Sequence, residues 1–354
     1  MTFRYAGRRV NEAYPDTATG RDHWIIARRP ARAAVAADRP HAFFVEAERS
    51  EVGEVVSVAT IFLTNRECPW RCLMCDLWKH TLEAPVPPGA IPAQIDFALG
   101  ELRRTHAGPL PQVKIYNSGS FFDRAAIPSS DHPAIAERLR SFDRVIVECH
   151  PALVNDAVIR FRDLLGEVGQ ASSLTGTGKM PVLHSFRPKL EVAMGLETIH
   201  PEVLPRLNKR MTTEQYAAAA DLLRSHEIAL RAFVLVKPPF LDEAEALLWA
   251  QRSTEFAFDC GASVVSLIPM RPGNGALDEL AAQGLFSPPA LTTLERAAEH
   301  GVALRRGRVF ADTWDLEQFS RCPRCFTARR ERLDAMNLSQ LVPEPVRCSH
   351  CGNP

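Results

Sequence analysis

Three cysteines stand close together in the run Cys68-Pro69-Trp70-Arg71-Cys72-Leu73-Met74-Cys75. The C-x3-C-x2-C spacing lets three thiolates ligate three irons of one [4Fe–4S] cubane, because soft sulfur ligands suit iron–sulfur clusters. A fourth iron then lacks a protein ligand, and the amino and carboxylate groups of S-adenosylmethionine can chelate it. One electron from such a cluster cleaves the sulfonium C–S bond, giving methionine and a 5′-deoxyadenosyl radical that takes a hydrogen atom from a substrate. The cofactor carries that chemistry and the protein orients it. The other reading is three ligands of a zinc site completed by a distant residue, although zinc favours C-x2-C pairs.

A second set lies near the C-terminus. Cys322-Pro-Arg-Cys325 and Cys348-Ser-His-Cys351 form C-x2-C-x22-C-x2-C. Two such knuckles can supply four thiolates to a tetrahedral zinc, with turn amides donating to the sulfurs. A second iron–sulfur cluster is the competing possibility. Cys149 and Cys260 fall outside both sets. Packing explains Cys260, whereas Cys149 lies near the presumed site and stays open.

The elements that must position these groups begin near Val55. Candidate strands are Val55–Thr64, Gln112–Asn117, Arg144–Cys149, Leu190–Leu196, Leu230–Val236 and Ser263–Ile268. Helical patterns fall between and after them: Pro92–Thr105, His132–Ser141, Asn155–Leu165, Thr213–His226, Glu243–Phe258 and Pro289–His300. In the fourth, Tyr216, Ala219, Ala220 and Leu223 recur at helical spacing, and Thr212 or Thr213 can cap its start. Regular alternation implies parallel strands with helical crossovers. Six units are too few for an eight-stranded barrel, so the expected fold is α/β: a partial (β/α)6 TIM-like barrel with a Cys-rich C-terminal metal-binding tail. The cysteine triplet then follows the first barrel strand, at the end where the active sites of such barrels gather.

The expected organisation is an N-terminal arm over 1–54, a barrel over 55–310 and a four-cysteine tail over 311–354. The stretch 166–188, rich in Gly, Ser and Thr, reads as a surface insertion in the third crossover. Its Gly176-Thr177-Gly178-Lys179 is not a phosphate loop. Ser173 stands where the first glycine is required, and Met180 where the hydroxyl residue is required.

Composition narrows the partners. The 354 residues are 46% hydrophobic and 24% charged, as in an ordinary soluble globular protein. Basic and acidic residues balance at 42 each, so no global basic field points to nucleic acid. The first 40 residues do carry eight arginines against four acids. A solvated arm is the plainer reading of that segment, and an RNA-gripping arm the sharper one. No stretch approaches the roughly 20 apolar residues of a membrane span. No apolar signal-peptide core precedes Glu12 and Asp16, so the expected location is cytoplasmic, where nine cysteines suggest metal before disulfides.

The triplet, on a loop after strand one of a six-unit α/β chain, resembles the radical S-adenosylmethionine superfamily over about residues 55–270. Finer matches, NRECPWRCLMCDLWKHT, YNSGSFFD, GLET and LVKPPF, resemble the radical subunit of archaeosine synthase. That subunit is in turn similar to the Elongator catalytic subunit and to tRNA methylthiotransferases. The resemblance implies that the Met74 backbone meets adenine and that Asn117, Ser118 and Gly119 bind the cofactor's amino group. It further implies that Glu148 and Glu197 face its polar end or ribose and that Ile268 packs against adenine. Glu148-Cys149-His150-Pro151 departs from the related Glu-x-Arg-Pro, which puts the carboxylate contact in question. Lys237 reads as a site cation or a rim lysine, and Arg271 as an anion reader or an exposed loop residue. No residue is assigned a catalytic role from sequence.

The resemblance implies S-adenosylmethionine, a low-potential donor such as ferredoxin or flavodoxin, possible tRNA and a possible partner subunit, with no membrane. The expected activity is radical modification of an RNA base. The alternatives are the same chemistry on a small metabolite or natural-product precursor, and a zinc-tail binding module whose barrel has lost its cofactor.

Overall fold

The computed structural model describes residues 13–166 and 187–351; most of the insertion, with its Gly-Thr-Gly-Lys, lies outside them. The eight strands are β1 Ala42–Arg49, β2 Val55–Leu63, β3 Gln112–Asn117, β4 Arg144–Glu148, β5 Lys189–Glu197, β6 Ala229–Val236, β7 Val264–Pro269 and β8 Arg308–Ala311. They form one sheet in chain order, with β1 antiparallel to β2 and each later neighbour parallel. The helices are α1 Ala18–Arg28, α2 Ala90–Thr105, α3 His132–Leu139, α4 Asp156–Gly166, the short α5 Val203–Arg206 and α6 Thr213–Ser225. They continue with α7 Glu243–Asp259, α8 Ala276–Ala282, α9 Leu291–Ala303 and α10 Pro323–Ser339. The six sequence-read strands are therefore β2–β7, with one further strand added at each edge.

Alternate residues explain the layering. Ile61, Ile115, Val147, Val192, Val234 and Leu267 turn outward and are fully buried in the main apolar core, as crossover helices on a parallel sheet require. The inward residues at the N-terminal end of the strands are charged. Arg231 on β6 donates to Glu48 on β1 (2.5 Å) and Glu191 on β5 (2.7 Å), and Arg144 on β4 to Glu191 (2.9 Å). Lys114 on β3 pairs with Glu48 at 2.5 Å. A bond from β1 to β6 needs a sheet curled on itself, so these pairs plug the base of a partial barrel. Burial raises the Glu48 carboxyl, but Arg231 and Lys114 outweigh it and hold the group below the usual range.

Helix α10 fills the seam between β8 and β1. The Asn337 side chain accepts from the Ala311 amide and donates to its carbonyl, both at 2.8 Å; Gln340 does the same for Val309 at 2.7 and 2.9 Å. Two side-chain amides thus stand in for a ninth strand and cover the open edge. The helix of the tail is accordingly packed on the barrel.

The N-terminal arm also differs from the solvated expectation. Trp24 and Ile25 of α1 are buried, and Arg29 and Arg32 both pair with Glu67 beside the cysteine loop. No helix among the described residues is long and apolar enough to cross a membrane.

Candidate functional site

The cysteine loop is held from several strand ends. Leu73 N donates to Leu207 O at 2.9 Å. Asn208 donates to Arg71 O at 2.8 Å, and Asn274 to Leu73 O (2.8 Å) and Cys75 O (3.3 Å). Arg71 reaches back to Cys68 O at 2.5 Å. Every one of these bonds goes to loop backbone, which leaves the Cys68, Cys72 and Cys75 side chains to ligate. Burial raises the Cys72 thiol to about 12, a cost removed when a metal takes the thiolates in place of protons.

The turn after β3 closes on the same loop. Gly119 has φ +120°, and a Cβ there would overlap Cys68 Cβ and stand 3.4 Å from its Sγ. Asn65 clamps the turn, accepting from Ser118 N at 3.2 Å and donating to Ser118 O at 3.3 Å. Among the described residues the Asn117 side-chain amide has no hydrogen-bond partner, its Oδ1 and Nδ2 both being buried. An unpaired buried amide costs free energy until something bonds it. It therefore fits a polar ligand such as the amino end of S-adenosylmethionine.

Glu148, on the inward face of β4, accepts from Asn117 N at 3.1 Å. Burial raises its carboxyl to about 8, against the Asn117 amide and the charge of Lys209, while Glu197 adds to the rise. The group is at 4.5 in the ordinary case, so the stabilisation from its neutral form is complete below that pH and is lost as pH climbs through 8. Glu148→Gln, which cannot ionise, is expected to melt roughly 2–6 °C above the parent at pH 8 in the cofactor-free protein, with little gap at pH 5. Parallel melting temperatures across that range would remove the assignment.

Glu197 sits at a register shift between Gly195 and Glu197, with φ +65°, and forms a buried ion pair with Lys209. A Cβ at Gly195 would overlap both Glu197 Oε1 and Lys209 Nζ, so the glycine makes room for the pair. Burial lowers the Lys209 ammonium, but Glu197 and then the Cys72 thiol outweigh it and raise it. Lys209 was missed from sequence. Its one signal was the polar Asn208-Lys209-Arg210 run after an apolar helix, which resembles any surface turn. His150 does not replace the arginine of the related pattern as a cation. Burial lowers its ring to about 4, and it stacks on Trp70 at 3.9 Å.

Met74 and Ile268 pack against one apolar cluster containing Leu73, Leu235 and Met270. Lys237 is spent elsewhere, on Glu243 (2.7 Å) and Ser287 (2.9 Å), and Arg271 on Asp312 (2.8 Å) and Trp314 O (2.6 Å). Cys149 accepts from Ser120 Oγ at 3.5 Å and is buried beneath the turn.

In the tail, the Sγ atoms of Cys322, Cys325, Cys348 and Cys351 all lie within 4.8 Å of one another, Cys322 to Cys348 at 3.9 Å and Cys325 to Cys351 at 3.7 Å. Four thiolates tetrahedrally around one ion at about 2.3 Å would stand about 3.8 Å apart, so the set can hold a single metal ion. Arg329 Nε donates to Cys325 Sγ at 3.4 Å while its guanidinium pairs with buried Glu295 on α9. Arg329 and Arg332 are therefore internal clamps, while Arg321, Arg324 and Arg330 are exposed.

An open α/β barrel with a three-cysteine loop at its mouth is the class of protein seen here. No family model matches the chain. The chain is similar to archaeosine synthase subunit beta of Methanosarcina acetivorans, 24% identical over 251 residues, covering 68% of this chain and 66% of that protein. An uncharacterised protein of Methanocaldococcus jannaschii is also 24% identical, over 245 residues, covering 66% and 62%. The chain thus spans just under two-thirds of the length of these relatives. Among solved structures, Elp3 of Methanocaldococcus infernus superposes with a TM-score of 0.48 at 13% identity, covering 75% of this chain and 63% of that one.

Proposed function

We propose that this chain is a radical S-adenosylmethionine enzyme that modifies an RNA base together with a partner subunit. The observation that carries the radical reading is the packing of the Gly119 turn onto Cys68 beside the unbonded Asn117 amide. Cys68, Cys72 and Cys75 would hold a [4Fe–4S] cluster, which with S-adenosylmethionine supplies a 5′-deoxyadenosyl radical for hydrogen abstraction.

The chain's own residues do the rest. Asn117, Ser118 and Gly119 would receive the amino group, and the buried Lys209 ammonium would face the carboxylate in place of the missing arginine. Neutral Glu148 would donate or accept at the ribose, Glu197 would hold Lys209 in place, and Met74 and Ile268 would flank the adenine. The tail would hold zinc. Protein lacking Cys68, Cys72 and Cys75 is expected to retain about one zinc and little iron; several irons on the tail would make it an electron-transfer element instead.

The RNA step rests on the likeness to archaeosine synthase subunit beta. A second reading, a small-metabolite substrate, is favoured by the internal use of Arg29, Arg32, Arg329 and Arg332. Comparing modified nucleosides in RNA from cells with and without the protein separates the two. Loss of one nucleoside supports the RNA reading; an unchanged nucleoside profile contradicts it.

A further inference from the structure

The barrel interior changes character with height. At its base the inward residues are closely packed: Glu191 is 0% and Arg231 2% exposed, and their charges are mutually paired. Above them Ile146 and Ala193 are fully buried, but the inward Phe44, Phe62, Tyr116, Phe233 and Ser266 are only half-buried. A filled barrel packs such positions as tightly as its outer faces. Their exposure marks an open lumen between the ionic plug and the cysteine loop.

Aromatic rings reach into it from β1, β2, β3 and β6. Tyr116 meets Phe62 edge to face at 5.7 Å and 69°, and Phe233 at 6.1 Å and 83°. Phe44 continues the wall to Phe62 at 6.0 Å and to Trp314 at 4.9 Å; Trp314 is 52% exposed. Rings in this arrangement present both faces and edges, which suits stacking with another flat ring. The pairing of Lys114 and Arg231 with Glu48 leaves those charges satisfied below the wall. Two polar atoms are unspent: neither the Tyr116 nor the Ser266 hydroxyl has a hydrogen-bond partner among the described residues. Ser266 is the register neighbour of Phe233, and Tyr116 lies one step beyond the paired Ile115 and Val147, beside Glu148.

We propose that this lumen is the subsite for a flat, uncharged heteroaromatic ring, a nucleobase, stacked on Phe62 and Phe233 and hydrogen-bonded at its edge by Tyr116 and Ser266. The inference rests on the radical reading above and deepens it by naming the wall that receives the reacting ring.

The test is equilibrium dialysis of labelled guanosine against anaerobically reconstituted protein saturated with S-adenosylmethionine. Guanosine is expected to bind saturably. Phe62→Leu and Phe233→Leu, which keep apolar bulk and remove the ring, should each weaken it at least about tenfold while the iron content stays that of the parent. Tyr116→Phe, a change that keeps the ring, should weaken binding by roughly threefold to tenfold. No saturable binding by the parent protein, or undiminished binding in all three variants, would overturn the proposal. Dialysis requires no turnover, so failure to cleave S-adenosylmethionine would sink the radical reading without deciding this one.

Discussion

Replacing Cys68, Cys72 and Cys75 together with Ala is expected to abolish 5′-deoxyadenosine formation and to remove about four irons per chain. The loop itself should survive the change. Its fixed points are backbone atoms bonded by Asn208, Asn274 and Leu207, and none of these bonds uses a thiol. Burial also raises the Cys72 and Cys75 thiols, a cost removed when a metal takes the thiolates in place of protons. A folded triple variant that still made 5′-deoxyadenosine would show that the triplet is not the cluster site.

Gly119→Ala is expected to lower S-adenosylmethionine cleavage by roughly 100-fold, because displacement of a reacting centre by about 1 Å has that scale of effect. Two costs combine here. The backbone lies at φ +120°, which L side chains rarely adopt, and the added methyl would overlap Cys68 Cβ. Gly89→Ala separates them: Gly89 has φ +84° and nothing within 4 Å of its Cβ position, so it carries the backbone strain without the overlap. Cleavage in Gly89→Ala should stay near that of the parent. Equal losses in the two variants would reduce the Gly119 effect to general destabilisation.

Much of this architecture was legible from residue order. Strand Gln112–Asn117 falls where its β-branched run ends, and the other five sequence-read strands agree within a residue or two at each end. These strands are buried on both faces over most of their length, so they announce themselves as apolar runs. β1 was hidden because its inward residues are Phe44, Glu46 and Glu48. Charges that point into a barrel read like charges that point into water, and the strand was absorbed into the arm. β8 has only four residues, too few for a pattern. α10 was hidden for a related reason: Arg329 and Arg332 occupy part of its buried face, so its apolar periodicity is broken by the residues that dock it.

The site divides along the same line. Cysteines at fixed spacing, and a glycine in a polar turn, carry their chemistry in sequence. Lys209 and the orphaned Asn117 amide do not, because burial and the lack of a partner are properties of the folded chain alone. Asn117 was named by resemblance; its two unbonded atoms supply a physical reason for a ligand there. The arginines show the reverse error. The arm's arginines read as solvated or as gripping RNA, whereas Arg29 and Arg32 are committed to Glu67, as Arg329 and Arg332 of the tail are to Glu295 and Glu299.

The most direct measurement of the central claim is the low-temperature electron paramagnetic resonance spectrum of the reduced, reconstituted parent protein, recorded with and without S-adenosylmethionine. A [4Fe–4S] signal from the N-terminal triplet should be present, and adding S-adenosylmethionine should change its g values, because the ligand reaches the iron that no cysteine holds. A [4Fe–4S] signal identical in the two spectra, or none at all with the tail metal in place, would contradict the account.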